Sequence, residues 1–169
     1  MRIAIAALLL LTACSQQAAD ESMAAGSALE EAAVARGLVA DPSAVPLTGL
    51  FARDADRLCL RAGDDESAII GISIDYGEGN GCSARGTARR TGAGLAIDFG
   101  EACRFDAEYD GETVRFPGAL PDGCAELCRG NASLAGMATE RLSHSPGEVA
   151  AFRDRRGRFP CAENAAGSS

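Results

Sequence analysis

Tryptophan is absent from this chain of 169 residues, which has only two tyrosines and six phenylalanines. Proteins that hold single-stranded nucleic acid commonly stack its bases on aromatic side chains, and carbohydrate sites use aromatic rings in a similar way. A surplus of positive charge is also missing, because 24 acidic residues outnumber 16 basic ones and the formal net charge is −8. Since affinity for nucleic acid depends on neutralising phosphate groups, we expect no nucleic-acid partner, and carbohydrate binding has little support.

Histidine occurs once, as His144. A single histidine supplies no metal-binding cluster, and its neighbour Ser145 is placed to cap a helix rather than to act as a nucleophile. Structural zinc sites usually have C-x-x-C pairs or histidine partners, whereas the closest cysteines, Cys124 and Cys128, have C-x-x-x-C spacing. We therefore expect no metal and no cofactor.

Paired carboxylates occur at Asp54 and Asp56, a pattern that glycoside hydrolysis can use. They stand in a turn-like segment with no aromatic platform nearby, so a solvated turn is the favoured interpretation. The sequence contains no clear catalytic constellation, and we expect the protein not to be an enzyme.

The only long apolar run, Ile3 to Leu11, is about half the roughly 20 residues that a membrane-spanning helix needs. Met1 and Arg2 precede it, and this order is typical of a secretory signal. The closing residues, Leu11-Thr12-Ala13-Cys14, resemble the lipobox of bacterial lipoproteins. The resemblance implies that Cys14 begins the mature chain and carries lipid. Because Ser15 follows, it also implies the outer membrane, facing the periplasm, and a mature charge of about −9.

Six further cysteines remain, an even number that predicts three disulfides in an exported chain. The sequence leaves their connectivity open. The cysteines are Cys59, Cys82, Cys103, Cys124, Cys128 and Cys161.

The region from Leu47 to residue 163 has the pattern of a β protein, with turn residues about every ten positions and apolar residues alternating between them. We predict a small antiparallel barrel or sandwich of about seven or eight strands, stapled by disulfides. Asp110-Gly111 indicates a type I′ hairpin turn, and Pro121 to Gly130 a loop or single helical turn. The predicted strands are 50–53, 57–61, 68–76, 82–90, 95–99, 104–109, 112–116 and 132–142.

Two short helices are predicted to flank this domain. Ser27 and Glu30 form a capping-box pattern before an alanine-rich run that ends at Gly37. A second capping box at Ser145, with Pro146 at the first helical position, begins a helix that we expect to reach about Arg156. The predicted organisation is a signal peptide (1–13), a lipidated N-terminus with tether and helix (14–46), the β domain (47–163) and a disordered tail (164–169).

Four arginines are concentrated near the C-terminus of this acidic chain. They either complement the macrodipole at the end of the second helix or form a binding patch for an acidic partner. The four are Arg153, Arg155, Arg156 and Arg158.

These features favour a lipid-anchored periplasmic binding or interaction protein without catalysis. In outline, residues 47–161 look like membrane-anchored inhibitors of host lysozyme, which are small lipidated β-barrels with cysteines. The resemblance covers architecture only and transfers no inhibitory residue, but it implies a basic cell-wall hydrolase as a target, which an acidic surface would attract. The alternatives are a structural or assembly accessory of the outer membrane and, less favoured, a small envelope enzyme or a thiol-redox protein using Cys124 and Cys128.

Overall fold

The computed structural model describes residues 24–29, 31–38, 44–64, 66–92, 94–100 and 102–162. The predicted signal peptide, Cys14 and the predicted tail lie outside these residues. The chain divides into two compact units between Asp41 and Pro42. Within the described residues, no helix is both long enough and apolar enough to cross a membrane.

In its described part, the first unit contains a helix, α1, over 24–29 and 31–35. Gly37 has a φ of 67°, and the Leu38 N–H donates to the Ala33 carbonyl at 2.9 Å. Such a left-handed glycine satisfies the last carbonyls of a helix, so the predicted C-terminal cap is confirmed. The predicted start was wrong, because Ser27 lies inside the helix: the alanines before it favour helix as well.

The second unit is a mainly β domain in which eight antiparallel strands close into a barrel. Each of the eight strands pairs antiparallel with the next one along the chain. The last of them also pairs with the first, which closes the barrel. The prediction of a barrel or sandwich is thereby resolved in favour of the barrel. Its strands are β1 (Gly49–Arg53), β2 (Asp56–Ala62), β3 (Ser67–Gly77), β4 (Asn80–Thr91), β5 (Gly94–Asp98), β6 (Arg104–Tyr109), β7 (Thr113–Arg115) and β9 (Ala138–Ser143).

Apolar side chains from alternate strand positions fill the barrel. Ile70, Ile72 and Ile74 of β3 are fully buried, as are Leu58 and Leu60 of β2. Successive side chains of a strand point to opposite faces, so this alternation places one apolar row inside. An eight-stranded barrel has an interior just wide enough for side chains to fill.

One end of the barrel, which we call the arginine end, is closed by Arg141 of β9. Its side chain is 2% exposed, and its guanidinium donates to the Thr48 carbonyl at 3.0 Å, the Gly111 carbonyl at 2.8 Å and the Tyr109 hydroxyl at 2.7 Å. It also lies over the Phe51 ring, 4.5 Å from the centroid. One buried cation thus links the start of β1, the β6–β7 turn and β9.

The opposite end is covered by the segment between β7 and β9, which contains a 3₁₀ helix (Asp122–Leu127) and the two-residue strand β8 (Cys128–Arg129). Leu134 and Met137 of this segment are buried against the barrel core. Two disulfides, Cys82–Cys128 and Cys103–Cys124, fasten it to the strands. The prediction that a strand begins at residue 132 was wrong: β9 begins at Ala138, because residues before it form this cover.

The C-terminal residues 152–162, which we call the strap, run over the outer face of β2, β3 and β4. Before them, α2 (Pro146–Ala151) packs Val149 into a small cluster with Cys59 and Cys161, which form the third disulfide. Ser145 caps α2 as predicted, accepting from the Glu148 N–H at 3.4 Å. The helix ends at Ala151 rather than near Arg156.

Asp154 explains this early end, because it anchors the strap to the barrel. Its side chain is 1% exposed and accepts hydrogen bonds from the Ser83 hydroxyl, from the Arg158 guanidinium at 2.8 Å and from the Arg156 and Arg158 N–H groups at 2.9 Å. The backbone must leave the helix for these contacts to form.

The β6–β7 turn also differs from its prediction. Gly111 has a φ of 96°, but Asp110 does not share a positive φ, so the turn is not type I′. The Asp110 carboxylate instead accepts from the N–H groups of Glu112 at 2.8 Å and Thr113 at 2.6 Å. This side-chain capping is the other way in which aspartate stabilises a turn.

Candidate interaction surfaces

The described barrel interior is mainly apolar. Arg141 is hydrogen-bonded at the arginine end, whereas the hydroxyl of Thr139 in β9 is buried with no hydrogen-bond partner among the described residues. Phe51, the isoleucines of β3 and Leu95 occupy the rest of the space. These side chains fill the described interior, so the candidate sites lie on the outer surface.

The β1–β2 and β3–β4 turns lie side by side at the end opposite the arginine end, because Asp56 of β2 pairs with Ile74 of β3. We call their polar side chains the hairpin edge. Tyr76 stands at its centre, 56% exposed, and its hydroxyl donates to the Asp56 carboxylate at 3.2 Å. The hairpin edge comprises Asp54, Asp56, Asp75, Tyr76 and Glu78.

Hydrogen bonds hold the hairpin edge in shape. Arg57 donates to the Asp54 carbonyl at 2.6 Å and to the Asp56 carbonyl at 2.9 Å, which fastens the β1–β2 turn. The Gly77 N–H donates to the Asp75 carboxylate at 3.0 Å and fastens the other turn. A surface whose backbone is fixed in advance loses less entropy when a partner binds.

The electrostatics of the hairpin edge favour a positive partner. Partial burial raises the pKa of Asp56, and the nearby Asp54 charge raises it further, although the hydrogen bond from Tyr76 opposes both. Burial and the Asp56 and Asp54 charges likewise raise the pKa of Tyr76. Burial is the main cause of both pKa shifts, and at Asp56 the charges of Arg57 and Arg53 also oppose the rise.

The four C-terminal arginines lie in the strap, and three of them have contacts within the chain. Arg153 lies over the Phe159 ring, 4.0 Å from its centroid, and Arg158 is bonded to Asp154. Arg155 is 13% exposed and 3.9 Å from the Asp75 carboxylate. Arg156 is exposed. The four arginines therefore lie in one segment, but their guanidinium groups have different contacts and do not form a single patch.

All six cysteines predicted to form disulfides do so. Cys124 and Cys128, the close pair, bond to different partners and not to each other. His144 is exposed beside the cap of α2. Among the residues that the structure describes, no group of three histidine, cysteine or acidic side chains is arranged to hold a metal ion.

The sequence pointed to Asp54 and Asp56 only as a solvated turn, and it gave Tyr76 no role. Their association depends on the β2–β3 register, which pairs positions about 20 residues apart. The available signal was an aromatic residue placed between acids at the end of a long strand in a chain with few aromatics.

Comparisons of this chain with protein-family models, with curated proteins and with solved structures found no match.

Proposed function

We propose that this protein is a lipid-anchored envelope protein without catalysis, and that it binds another protein through the outer surface of its barrel. The observation that carries the proposal is the filled barrel: apolar side chains occupy its interior, Arg141 closes one end and a disulfide-fastened segment covers the other. Three disulfides make the outer surface a rigid scaffold, which suits recognition of a macromolecule.

The anchor rests on the sequence around Cys14. The secretory pattern and the lipobox-like residues support lipidation there, and Ser15 supports the outer membrane facing the periplasm. Two or more acyl chains give stable attachment, whereas one is marginal.

Labelling of expressing cells with radioactive palmitate tests the anchor. We expect the label in the wild-type chain and in the membrane fraction, and its loss from Cys14→Ser. The matched control is Ser15→Ala, which leaves the cysteine in place. Label that persists in Cys14→Ser would refute the proposed anchor.

The hairpin edge is the contact surface that we propose. It combines an exposed tyrosine with four carboxylates, and tyrosine is among the residues that contribute most to interfaces. Its charge fits a basic target, and a basic cell-wall hydrolase such as lysozyme meets that description.

An inhibition assay on a basic lysozyme tests the contact surface. We expect the mature chain without its lipidated Cys14 (residues 15–169), with its disulfides intact, to inhibit the enzyme saturably. Tyr76→Ala should weaken inhibition by about tenfold or more, as expected for a residue at the centre of an interface. Glu126→Gln, an exposed acid on the 3₁₀ helix, is the control and should inhibit like wild type. Equal inhibition by all three proteins would show that the hairpin edge is not the contact.

A structural or assembly accessory of the envelope is the second candidate function. The observation that favours it is the first unit, in which Leu29 of α1 and Leu38, just after the helix, are 73% and 75% exposed. Affinity capture from envelope extract distinguishes the two. A stoichiometric envelope partner lost on Leu29→Glu would support the accessory role, whereas capture that depends on Tyr76 would support the first proposal.

A further inference from the structure

The barrel contains an incomplete seam between β6 and β7. Only two residue pairs join these strands, Glu108 with Arg115 and Tyr109 with Val114, although β6 continues back to Arg104. Beyond Arg115 the chain stays with the β9 side: the Phe116 N–H donates to the Met137 carbonyl at 2.8 Å, and the Gly136 N–H to the Pro117 carbonyl at 2.8 Å. Residues 104–107 of β6 therefore have β5 on one edge, and no strand among the described residues pairs with the other edge.

The backbone groups at this edge face the seam. The Asp110 N–H points towards β7, where it donates to the Thr113 carbonyl, whereas the Ala107 carbonyl points to β5, beside Gly94. Residues of an antiparallel strand alternate between its two edges. The N–H and C=O groups of Arg104 and Asp106 are in phase with those of Asp110, so they point into the seam.

A groove of about 710 Å³ runs along the seam and over the adjoining outer surface. Asp106, Ala107 and Glu108 line one side, and Phe116, Pro117 and Gly118 line the other. Its volume is in the range of about 300–1,000 Å³ typical of binding pockets. The groove thus provides space beside a strand edge whose backbone N–H and C=O groups can form hydrogen bonds with an added strand.

We propose that the seam binds an extended segment of another protein, which adds to β6 as a strand and carries basic side chains on its outward face. Added strands gain affinity from main-chain hydrogen bonds and specificity from alternate side chains. This site is separate from the hairpin edge and does not depend on the proposed function.

Charge complementarity selects this occupant. Asp106 has no ion-pair partner among the described residues, and Glu108 lies beside it on the outward face, while Arg104 is already bonded to Asp98 at 2.8 Å. Arg115, the one basic residue in the described lining of the groove, lies opposite Glu108, so Asp106 is the carboxylate left for a basic segment. The chain's own terminal stretches, 15–23 and 163–169, contain acids and no arginine or lysine. They would add negative charge beside Asp106, so a basic segment from another protein fits better.

Nuclear magnetic resonance with defined peptides tests this proposal. The probe is the peptide acetyl-Val-Arg-Val-Arg-Val-Thr-amide, added to the isotope-labelled mature chain at low salt. One control peptide has glutamate in place of arginine. The other keeps every side chain but is N-methylated at alternate residues, so it cannot donate backbone hydrogen bonds from one edge.

We expect the arginine peptide to shift the amide signals of residues 104–108 and 115–118 and to slow hydrogen exchange at Asp106 by about tenfold or more. The glutamate and N-methylated peptides should each bind about tenfold more weakly. Asp106→Lys should weaken the arginine peptide to a similar degree, whereas Glu126→Lys should leave its affinity unchanged.

Equal binding of the N-methylated peptide would overturn the proposal, because attraction between charges alone would then explain the affinity. Shifts confined to Tyr76 and its neighbours would place the peptide at the hairpin edge instead. A dimer that forms through β6 would make a second copy of this chain the occupant. If no peptide binds, the proposal is wrong, and the charges at this edge serve instead to prevent pairing with other strands.

Discussion

The chain contains no lysine, so all 16 of its Lys and Arg side chains are arginines, and several of them donate to backbone carbonyl oxygens. Arg141 closes the arginine end in this way, Arg90 donates to the Val45 carbonyl at 2.6 Å, and Arg85 donates to the carbonyls of Pro160 and Ala162. A guanidinium carries several donors in a fixed plane, so one side chain can join separate segments. These arginines therefore help to hold the barrel together.

Replacing Arg141 should destabilise the barrel. Arg141→Met keeps an unbranched apolar stem but leaves the Thr48 and Gly111 carbonyls without their donor, and a buried polar group without a partner costs about 1–3 kcal/mol. We expect the free energy of unfolding to fall by about 2–4 kcal/mol in urea titrations at neutral pH. The control is Arg115→Met, an exposed arginine on β7, which should change stability little. A value for Arg141→Met within about 0.5 kcal/mol of wild type would refute its role in closing the barrel.

Gly49 is required by the same arrangement. A Cβ on this residue would meet the Arg141 guanidinium and lie 2.9 Å from the Phe51 ring. We expect Gly49→Ala to destabilise the protein in the same urea titrations. The double variant with Arg141→Met should lose less than the sum of the two single losses, because the alanine then has no guanidinium to displace. If the losses of unfolding free energy in the two single variants add up strictly in the double variant, Gly49 and Arg141 do not depend on each other.

Asp154 should make the free energy of unfolding depend on pH in the acidic range. Burial alone would raise its pKa, but the hydrogen bonds from Ser83, Arg158 and the Arg156 N–H outweigh burial and hold the pKa below the usual 3.8. A lowered folded-state pKa means that the carboxylate stabilises the native state above about pH 4 and that this stabilisation is lost as the pH falls through the folded-state value.

Asp154→Asn removes this charge and weakens its hydrogen bonds, so we expect it to cost about 1.5–3 kcal/mol at neutral pH, the range for hydrogen bonds to a charged group. Urea titrations from about pH 7 down to about pH 2.5 should show the gap between variant and wild type narrowing below about pH 4. Glu126→Gln should show no such gap. A gap of constant size across this range would mean that the Asp154 charge does not stabilise the fold.

At the scale of elements, the strap depends on its disulfide. Cys59–Cys161 joins positions 102 residues apart, whereas Cys103–Cys124 joins positions 21 apart. Chain-entropy estimates give a larger stabilisation for the longer loop, up to about 5 kcal/mol. Removing the first bridge should also free the arginines of the strap for trypsin.

We therefore expect the Cys59→Ala/Cys161→Ala double variant to be cleaved by trypsin within 153–158 under native conditions, with the rest of the barrel intact. The Cys103→Ala/Cys124→Ala variant is the control and should keep the strap resistant. Mass spectrometry of the fragments reads out both. A strap that resists trypsin equally in the two variants would show that Asp154 and Arg85 suffice to hold it.

Most strands were predictable from the sequence because alternation records which face is buried. Ile70, Ile72 and Ile74 identify β3 without further information. The pairing of β9 with β1 on one side and with β7 on the other was not predictable. Strands that pair with partners distant along the chain leave no local pattern in the sequence. Similarly, α2 was predicted too long because it ends where Asp154 binds Ser83 of the barrel, and this tertiary contact leaves no pattern in the local sequence. The hairpin edge escaped prediction for the same reason.

At the scale of the whole molecule, charge and shape point to recognition on the outside. The chain has a net charge of −8, and its filled barrel offers a rigid outer surface. Binding of a basic protein to it should weaken as salt rises, because exposed charges are screened over about 10 Å at 0.1 M ionic strength. Calorimetric titration with a basic lysozyme at two salt concentrations measures this. Affinity that does not change with salt would exclude the electrostatic contribution.

The measurement that tests the central claim most directly is a resonance map of the labelled mature chain titrated with a basic lysozyme. Our account predicts shifts at residues 54–57 and 74–79, with the amides around Leu95 and Ile97 in the core unchanged. Shifts that concentrate on core residues would show that the barrel opens to bind a ligand inside, and they would contradict the account. The absence of any shift at saturating concentration would remove lysozyme as the target of the hairpin edge.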